Sequence, residues 1–340
     1  GGVAGVPGEI QKLKLVREDP IPGALPRKVQ VVGVRGGTVS VFDKGADNPV
    51  PDGGTDALRS GVDVQAAVFF AKVYLIDGER YRVYDPFDGT NGSVEPWMAE
   101  KGQLPPRAKL ITAFGARLVL AYGSGNWIMS RVLDGNDWDT SPHVPAPAMP
   151  VSGETAPYAH SIEDSITALI PLPDDLLGFG CESSLYRLTG HPLQNGQIDL
   201  VTTETGVAYG TPFAKDPAGT VYFYGSKGGV WAWNLAGPPV NLVAHRIERD
   251  LQDLDRSLFR VEMRWSYRDE GLYVFVIGRV DGQVHSSWFW DAKNDGWWED
   301  PYAQPVTAVC TFDGDDPNDR VVLMGSEDGH VRAISAGASS

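Results

Sequence analysis

Short apolar strands recur along this chain, and their recurrence restricts the fold more than any other feature of the sequence. The repeats lie about 50 residues apart on average, the period of a β-propeller blade, in which one repeat supplies several strands. The repeated four-residue cores begin at Val73, Leu118, Leu176, Val221, Leu272 and Val321. The sequence therefore predicts an all-β propeller.

Each core has further strand-like runs on both sides. The next run follows after turn sequences rich in Gly and Asp, such as Asp77-Gly78 and Asp328-Gly329, which supply the positive φ of hairpin turns. The runs before the cores begin at Ala67, Leu110, Ile166, Tyr209, Val261 and Thr307. Fourth runs at 93–97, 136–139, 198–203, 240–244 and 297–300 complete five of the six copies.

The last copy lacks a fourth run, and two β-rich runs, 28–34 and 38–43, precede the first copy. Closure of a propeller removes exposed sheet edges. We therefore expect a six-bladed propeller closed by an N-terminal strand. Seven blades is the alternative if both N-terminal runs belong to a blade of their own.

The domain organisation predicted from these runs is one propeller with short extensions. Residues 1–27 are rich in Gly and Pro and are expected to form an extended arm. The propeller covers 28–336, with closing strands over 28–43, and 337–340 form a tail. Residues 244–258 carry an apolar stripe at helical spacing and predict one short inserted helix.

Composition excludes some classes of function. A net charge of −15 argues against broad binding of the nucleic-acid backbone. No apolar run reaches roughly 18 residues, so no membrane span is expected. The two cysteines, Cys181 and Cys310, lie in or beside apolar strands and are interpreted as separate buried thiols.

The sequence has no HExxH, GxSxG or P-loop motif, so we expect neither an enzyme nor a cofactor. An acidic run offers a weak calcium site, with a solvated turn as the simpler explanation. Its carboxylates are Asp313, Asp315, Asp316 and Asp319.

Two groups of residues are candidate binding sites. Trp97, Trp138 and Trp298 follow Asp- and Gly-rich turns or end outer strands, and predict either ligand stacking or packing between blades. The long insertion 141–164 predicts either a docking arm or a solvated loop. Its candidate docking residues are Pro142, His143, Pro145, Pro147, Pro150 and Pro157.

Three segments, 118–139, 164–190 and 208–233, resemble the propeller region of structural proteins from tailed bacteriophages. The helix-like segment 248–255 is similar to one that follows the same blade there. The resemblance covers roughly Gln65–Ile334. That family includes tail hub proteins that stabilise packaged DNA and tail nozzle proteins.

The resemblance implies a non-catalytic virion protein of the tail or neck, made in the bacterial host cytoplasm. Expected partners are portal, adaptor or tail components and other copies of the chain, with no sequence-specific nucleic acid. Two alternatives remain open. One is a propeller on the virion surface that binds a receptor or glycan. The other is a propeller glycoside hydrolase with carboxylates contributed by separate blades.

Overall fold

The described part of the chain folds into seven antiparallel sheets arranged as the blades of a propeller. The structure is a computed structural model that describes residues 9–17, 29–43, 46–51, 53–88, 92–157, 159–173, 175–243, 251, 254–255, 257–279, 286–313 and 320–334. Each sheet takes its strands from one continuous stretch of sequence. Blades are numbered here in chain order.

The strands of blades 1 to 3 are connected mainly by hairpins. Blade 1 comprises β1 (Ile10–Arg17), β2 (Val29–Arg35), β3 (Thr38–Asp43) and β4 (Ala46–Pro49). Blade 2 comprises β5 (Gln65–Phe69), β6 (Lys72–Ile76), β7 (Tyr81–Asp85) and β8 (Ser93–Pro96). Blade 3 comprises β9 (Leu110–Phe114), β10 (Arg117–Tyr122), β11 (Asn126–Met129) and β12 (Val151–Ser152).

Blades 4 to 7 repeat this pattern. Blade 4 comprises β13 (Ile166–Pro171), β14 (Leu176–Cys181), β15 (Leu185–His191) and β16 (Gln194–Thr202). Blade 5 comprises β17 (Phe213–Lys215), β18 (Val221–Tyr224), β19 (Val230–Trp233) and β20 (Val240–Asn241). Blade 6 comprises β21 (Phe259–Ser266), β22 (Gly271–Gly278), β23 (Ser286–Asp291) and β24 (Gly296–Glu299). Blade 7 has β25 (Val306–Asp313), β26 (Arg320–Ser326) and β27 (Val331–Ala333) within the described residues.

The expectation of six blades is wrong, and the seven-bladed alternative is confirmed. Residues 29–35 and 38–43 do not complete the last blade, because they pair with each other and with β1 in a sheet of their own. Residues 10–17, expected to belong to an extended arm, form β1 of that sheet. The N-terminal part of the chain therefore contributes a whole blade.

The ring closes by side-chain packing between the first and last blades. Ile10 and Leu13 of β1 form one buried cluster with Ala308 and Cys310 of β25. Among the described residues no strand of blade 1 pairs with a strand of blade 7. Within the described ranges, closure therefore does not use a shared N-terminal strand.

The hydrophobic core is divided among the gaps between blades. The described residues contain seven buried apolar clusters, one for each pair of neighbouring blades around the ring. Strands such as β18 and β22 are buried on both faces because each face meets a different blade. Cys181 and Cys310 are buried free thiols, as expected.

The outer edge of blade 3 differs from its prediction. Residues 136–139 were expected to form the fourth strand, but that strand is β12, which lies inside the insertion 141–164. A short 3₁₀ helix, Ala146–Ala148, precedes β12. The insertion is therefore partly a structural element of its blade.

Most of the predicted helix over 244–258 and the tail 337–340 lie outside the described residues. Among the described residues, no helix has the length and apolar composition of a membrane span.

Candidate functional site

A segment that precedes β17, Tyr209–Thr211, lies across the axis of the ring. It contacts four other blades at once. The hydroxyl of Tyr209 donates to the carbonyl oxygen of Lys109, at the start of blade 3, and Gly210 N–H donates to Thr167 O in blade 4. Thr211 Oγ1 accepts a hydrogen bond from Lys12 Nζ of blade 1, and the Arg279 guanidinium of blade 6 lies 6.0 Å from the centre of the Tyr209 ring. Only a segment close to the axis reaches so many blades.

A buried ion pair is hydrogen-bonded to this axial segment. Lys12 Nζ is 3.2 Å from Glu262 Oε1, and the two side chains are 2% and 3% exposed. Lys12 also donates to Thr211 Oγ1 at 2.9 Å, and Glu262 Oε2 accepts from Val309 N–H at 3.3 Å. The ion pair connects blades 1 and 6 directly and, through these hydrogen bonds, also reaches blades 5 and 7.

Cations outnumber carboxylates around this pair. Arg264 Nη2 lies 3.5 Å from Glu262 Oε2, and Arg260 Nη1 lies 3.8 Å from Glu262 Oε1. Burial alone would raise the pKa of Glu262, but Lys12, Arg264 and Arg260 together hold it below its usual value. Burial lowers the pKa of Lys12 despite the attraction of Glu262.

Lys14 lies two residues further along β1 and makes no side-chain hydrogen bond with the described residues. Burial and the nearby Lys12 ammonium lower the pKa of Lys14 to about 7. Its amine is therefore the one cation of this group that has no direct counter-charge among the described side chains.

Two cavities flank the axial segment at one end of the ring, with volumes of about 750 and 600 Å³. Tyr209 and Arg279 line both of them. Arg279 is fixed by Asp63, whose Oδ2 lies 2.5 Å from Arg279 Nη1, and Asp63 Oδ1 lies 3.5 Å from Arg260 Nη1. These contacts set the wall between the two cavities.

The smaller cavity, which we call the axial pocket, is also lined by Arg59, Asp77 and Glu79. Asp77 accepts hydrogen bonds from the backbone N–H groups of Arg59, Glu79 and Arg80. Burial alone would raise the pKa of Asp77, but these donors and the Arg59 guanidinium together hold it below its usual value.

Two further cations line the axial pocket without a paired carboxylate among the described residues. Arg107 and Lys109 precede β9, line the axial pocket, and make no side-chain hydrogen bond or ion pair with the described residues. The free charges of the axial pocket are therefore positive, although the chain as a whole is strongly acidic.

The three tryptophans proposed from the sequence do not lie in one environment. Trp97 and Trp138 are 3% and 2% exposed, and their rings pack 5.8 Å apart. Both indole Nε1 atoms donate to Gly135 O. Trp298, on the outer strand β24, is 47% exposed and packs against Phe289.

Four of the six predicted docking residues in the proline-rich insertion are exposed to solvent. Pro142, Pro145, Pro147 and Pro157 are exposed, and Pro150 is buried. His143 Nε2 lies 2.7 Å from Asp137 Oδ2, and this hydrogen bond raises the pKa of the imidazole. The exposed prolines thus lie on a segment with defined contacts.

Arg117 holds this insertion against blade 3. Its buried guanidinium donates to Ser130 O, Met149 O and Pro147 O, and lies 3.3 Å from His191 Nε2. Its fork of donors thus serves three carbonyl oxygens at once.

The weak calcium site falls almost entirely outside the described residues. Asp315, Asp316 and Asp319 are not described, and Asp313 pairs with Arg320 at 2.7 Å. No group of three potential metal ligands occurs among the residues that the structure describes.

Sequence reasoning did not identify the axial cluster. The signal was present, because β1 (IQKLKLVR) and β21 (FRVEMRWS) both alternate charged and apolar residues. Alternation of this kind normally indicates an exposed strand face. Here the charged residues instead meet each other near the ring axis.

No protein-family model matches the chain, and no curated protein matches its sequence. Solved structures match its fold over almost the whole length. Virginiamycin B lyase from Staphylococcus aureus matches with a TM-score of 0.59 and 10% identity, covering 96% of this chain and 94% of the lyase.

YCF48 from Cyanidioschyzon merolae matches with a TM-score of 0.54 and 15% identity, covering 99% of this chain and 98% of YCF48. The computationally designed protein Ika8 matches with a TM-score of 0.52 and 15% identity over 97% of both chains. At these identities the similarity defines the fold class alone, a seven-bladed β-propeller.

Proposed function

We propose that this chain is a non-catalytic structural component of a tailed-bacteriophage virion, a hub or nozzle protein of the tail or neck. It acts by rigid assembly with portal, adaptor or tail proteins and with other copies of itself. The resemblance of three segments to phage propellers motivates this role. The observation that carries it is the occupied ring axis, where Tyr209–Thr211 and the Lys12–Glu262 pair join blades.

A segment across the ring axis favours a propeller with a closed centre over one with an open central channel. The ion pair is buried and hydrogen-bonded, so separating its blades would leave charges without partners, at a cost of about 3–5 kcal/mol. A ring with this internal bracing keeps its shape when partners bind at its rim. DNA that passes through the assembled particle would therefore pass beside each propeller and not along its central axis.

The exposed prolines of the insertion supply a docking surface for such partners. Pro142 and Pro145 are exposed on a segment that Arg117 fixes through Met149 O and Pro147 O. A preordered loop loses little conformational entropy on binding. Proline restricts the backbone further.

Substitution tests this role better than deletion of the insertion. Val151 and Ala156 belong to the buried cluster between blades 3 and 4, so a deletion would disrupt the blade itself. The test variant is Pro142→Glu with Pro145→Glu. The matched control is Pro301→Glu, at an exposed proline between blades 6 and 7.

Incorporation is measured as the amount of chain in purified particles, with folding checked by circular dichroism. We expect the double variant to fold and be lost from particles while the control is retained. Normal incorporation of the double variant would refute docking through this loop. Absence of the unsubstituted chain from particles would refute the virion role itself.

A second candidate function is binding of a receptor or glycan at the virion surface, and Trp298 is the residue that favours it. An exposed indole at the end of an outer strand offers a flat face for the apolar side of a sugar ring. The test is Trp298→Ala in a glycan-binding assay. Loss of binding by a folded Trp298→Ala variant would support this function, and binding unchanged would refute the assignment to this residue.

A further inference from the structure

We propose that the axial pocket binds a small molecule bearing one carboxylate or phosphate group, held by Arg107 and Lys109. The pocket volume of about 600 Å³ lies within the range typical of small-molecule sites. This inference goes beyond the assembly role and does not depend on it.

The carboxylates of the axial pocket are already engaged. Asp63 accepts from Arg279 and lies near Arg260, and Glu79 Oε1 lies 2.9 Å from Arg59 Nη1. Asp77 has three backbone donors besides the Arg59 guanidinium. These three acids therefore pair with Arg59, Arg279 and Arg260, and among the described residues they leave Arg107 and Lys109 as the cations of the pocket without a paired carboxylate.

Both side chains are exposed, and hydrogen bonds hold the backbone of Lys109. Lys109 N–H donates to Ala121 O at 3.1 Å, and Lys109 O accepts from the Tyr209 hydroxyl at 3.1 Å. A Cβ on Gly78 would lie 3.8 Å from Lys109 Cγ, so the stem of the lysine extends over Gly78 on the neighbouring blade.

Arg107 has a left-handed φ of 56°, an uncommon conformation for a residue with a Cβ. This conformation and the two backbone hydrogen bonds of Lys109 set the course of the loop that carries both charges.

The chemistry of the remaining wall suits an anion attached to a partly apolar body. Burial raises the pKa of Tyr209, so the phenol stays neutral and does not repel an anion. The Tyr209 ring and Val62 supply apolar surface beside the two cations. The planar guanidinium of Arg107 can donate hydrogen bonds to two oxygens of a carboxylate or phosphate at once.

The test is calorimetric titration of the full chain with glucuronate, glucose 6-phosphate and glucose at low ionic strength. These probes share a sugar ring and differ in the carboxylate, the phosphate or the absence of charge. We expect at least one of the charged sugars to bind and glucose not to bind. The charged sugar that binds identifies the carboxylate or the phosphate as the recognised group.

The variant Arg107→Gln with Lys109→Gln keeps a polar side chain at both positions but removes both charges. We expect its affinity for the charged sugar to fall at least about tenfold, since the two cations supply the charge that attracts the ligand. The control is Lys293→Gln, which removes an exposed cation from the turn between β23 and β24. Unchanged affinity in the double variant, equal binding of glucose, or no binding of either charged sugar would overturn the proposal.

Discussion

The axial ion pair predicts an unequal response to the loss of its two members. Among the described residues, Glu262 is the one carboxylate that lies within 4 Å of all three cations, Lys12, Arg260 and Arg264. Lys12, by contrast, is one of several cations around that carboxylate. We therefore expect Glu262→Gln to destabilise the fold more than Lys12→Met does.

The magnitudes follow from what each substitution leaves behind. Glu262→Gln leaves the Lys12 ammonium 2% exposed without its carboxylate, beside two guanidinium groups, and should cost about 3–5 kcal/mol. Lys12→Met leaves Glu262 with Arg264 at 3.5 Å and with the Val309 N–H, so the carboxylate stays paired. Its cost should be about 1–2 kcal/mol, the loss of one charge-assisted hydrogen bond with the apolar stem retained.

The assay is equilibrium unfolding in urea at neutral pH, followed by tryptophan fluorescence of a chain with 10 tryptophans. Comparing midpoints at equal slope separates a change in stability from a change in the unfolded state. The two single variants and the combined variant together give the coupling energy of the pair. Equal costs for the two single variants, or a larger cost for Lys12→Met, would refute a cation surplus around the axis.

Three further predictions concern single residues. Lys14→Met should be more stable than the unsubstituted chain at pH 6, with the gap narrowing by pH 9.5. The pKa of Lys14 is about 7 in the folded chain and 10.5 in the unfolded chain, so the unsubstituted chain gains stability as the pH rises between these values. A difference in urea-unfolding free energy between the two chains that stays constant with pH would contradict this. Arg117→Lys should cost about 1–3 kcal/mol and speed hydrogen exchange over 141–150, because a single ammonium cannot replace the guanidinium fork; unchanged exchange would count against this tether. The pKa of His143, measured by NMR, should lie above that of a free histidine and should fall in Asp137→Asn, because the hydrogen bond to Asp137 favours the charged imidazole. The stability from this pair is present at low pH and is lost as the pH rises through the raised folded pKa; an equal His143 pKa in the unsubstituted chain and the variant would disprove the pairing.

Most strands of blades 2 to 7 were predictable from the sequence. Their apolar cores recur next to Gly- and Asp-rich turns, and the predicted run at 221–224 coincides with β18 (Val221–Tyr224). Local pattern suffices there because each strand is connected to the next by a short hairpin. The all-β class and the propeller architecture are therefore readable from the sequence.

Blade 1 and the edge of blade 3 were not predictable by the same reasoning. Residues 18–28 separate β1 from β2, so the first strand does not directly precede its apolar core as in the other blades. The strand β12 is two residues long and gives no periodic signal. A count of regular repeats therefore found six blades where the structure has seven.

The axial pocket was beyond prediction for a different reason. Its walls come from loops of several blades, and Tyr209 lines it beside Arg59 and Arg107, which are distant in sequence. These residues are neighbours only because the blades form a ring. A single sequence carries no local signal that residues so far apart in the chain lie close together in the fold.

The ring closure has a consequence for the order in which the chain folds. Lys12 lies near the start of the chain, yet its partner Glu262 is 250 positions away. Each blade has a local hydrogen-bond network of its own and can form early, whereas this contact must wait until the intervening blades are in place. The axial salt bridge is therefore a late contact, and the N-terminal blade stays incompletely supported until the seventh blade packs against it through the cluster of Ile10, Leu13, Ala308 and Cys310.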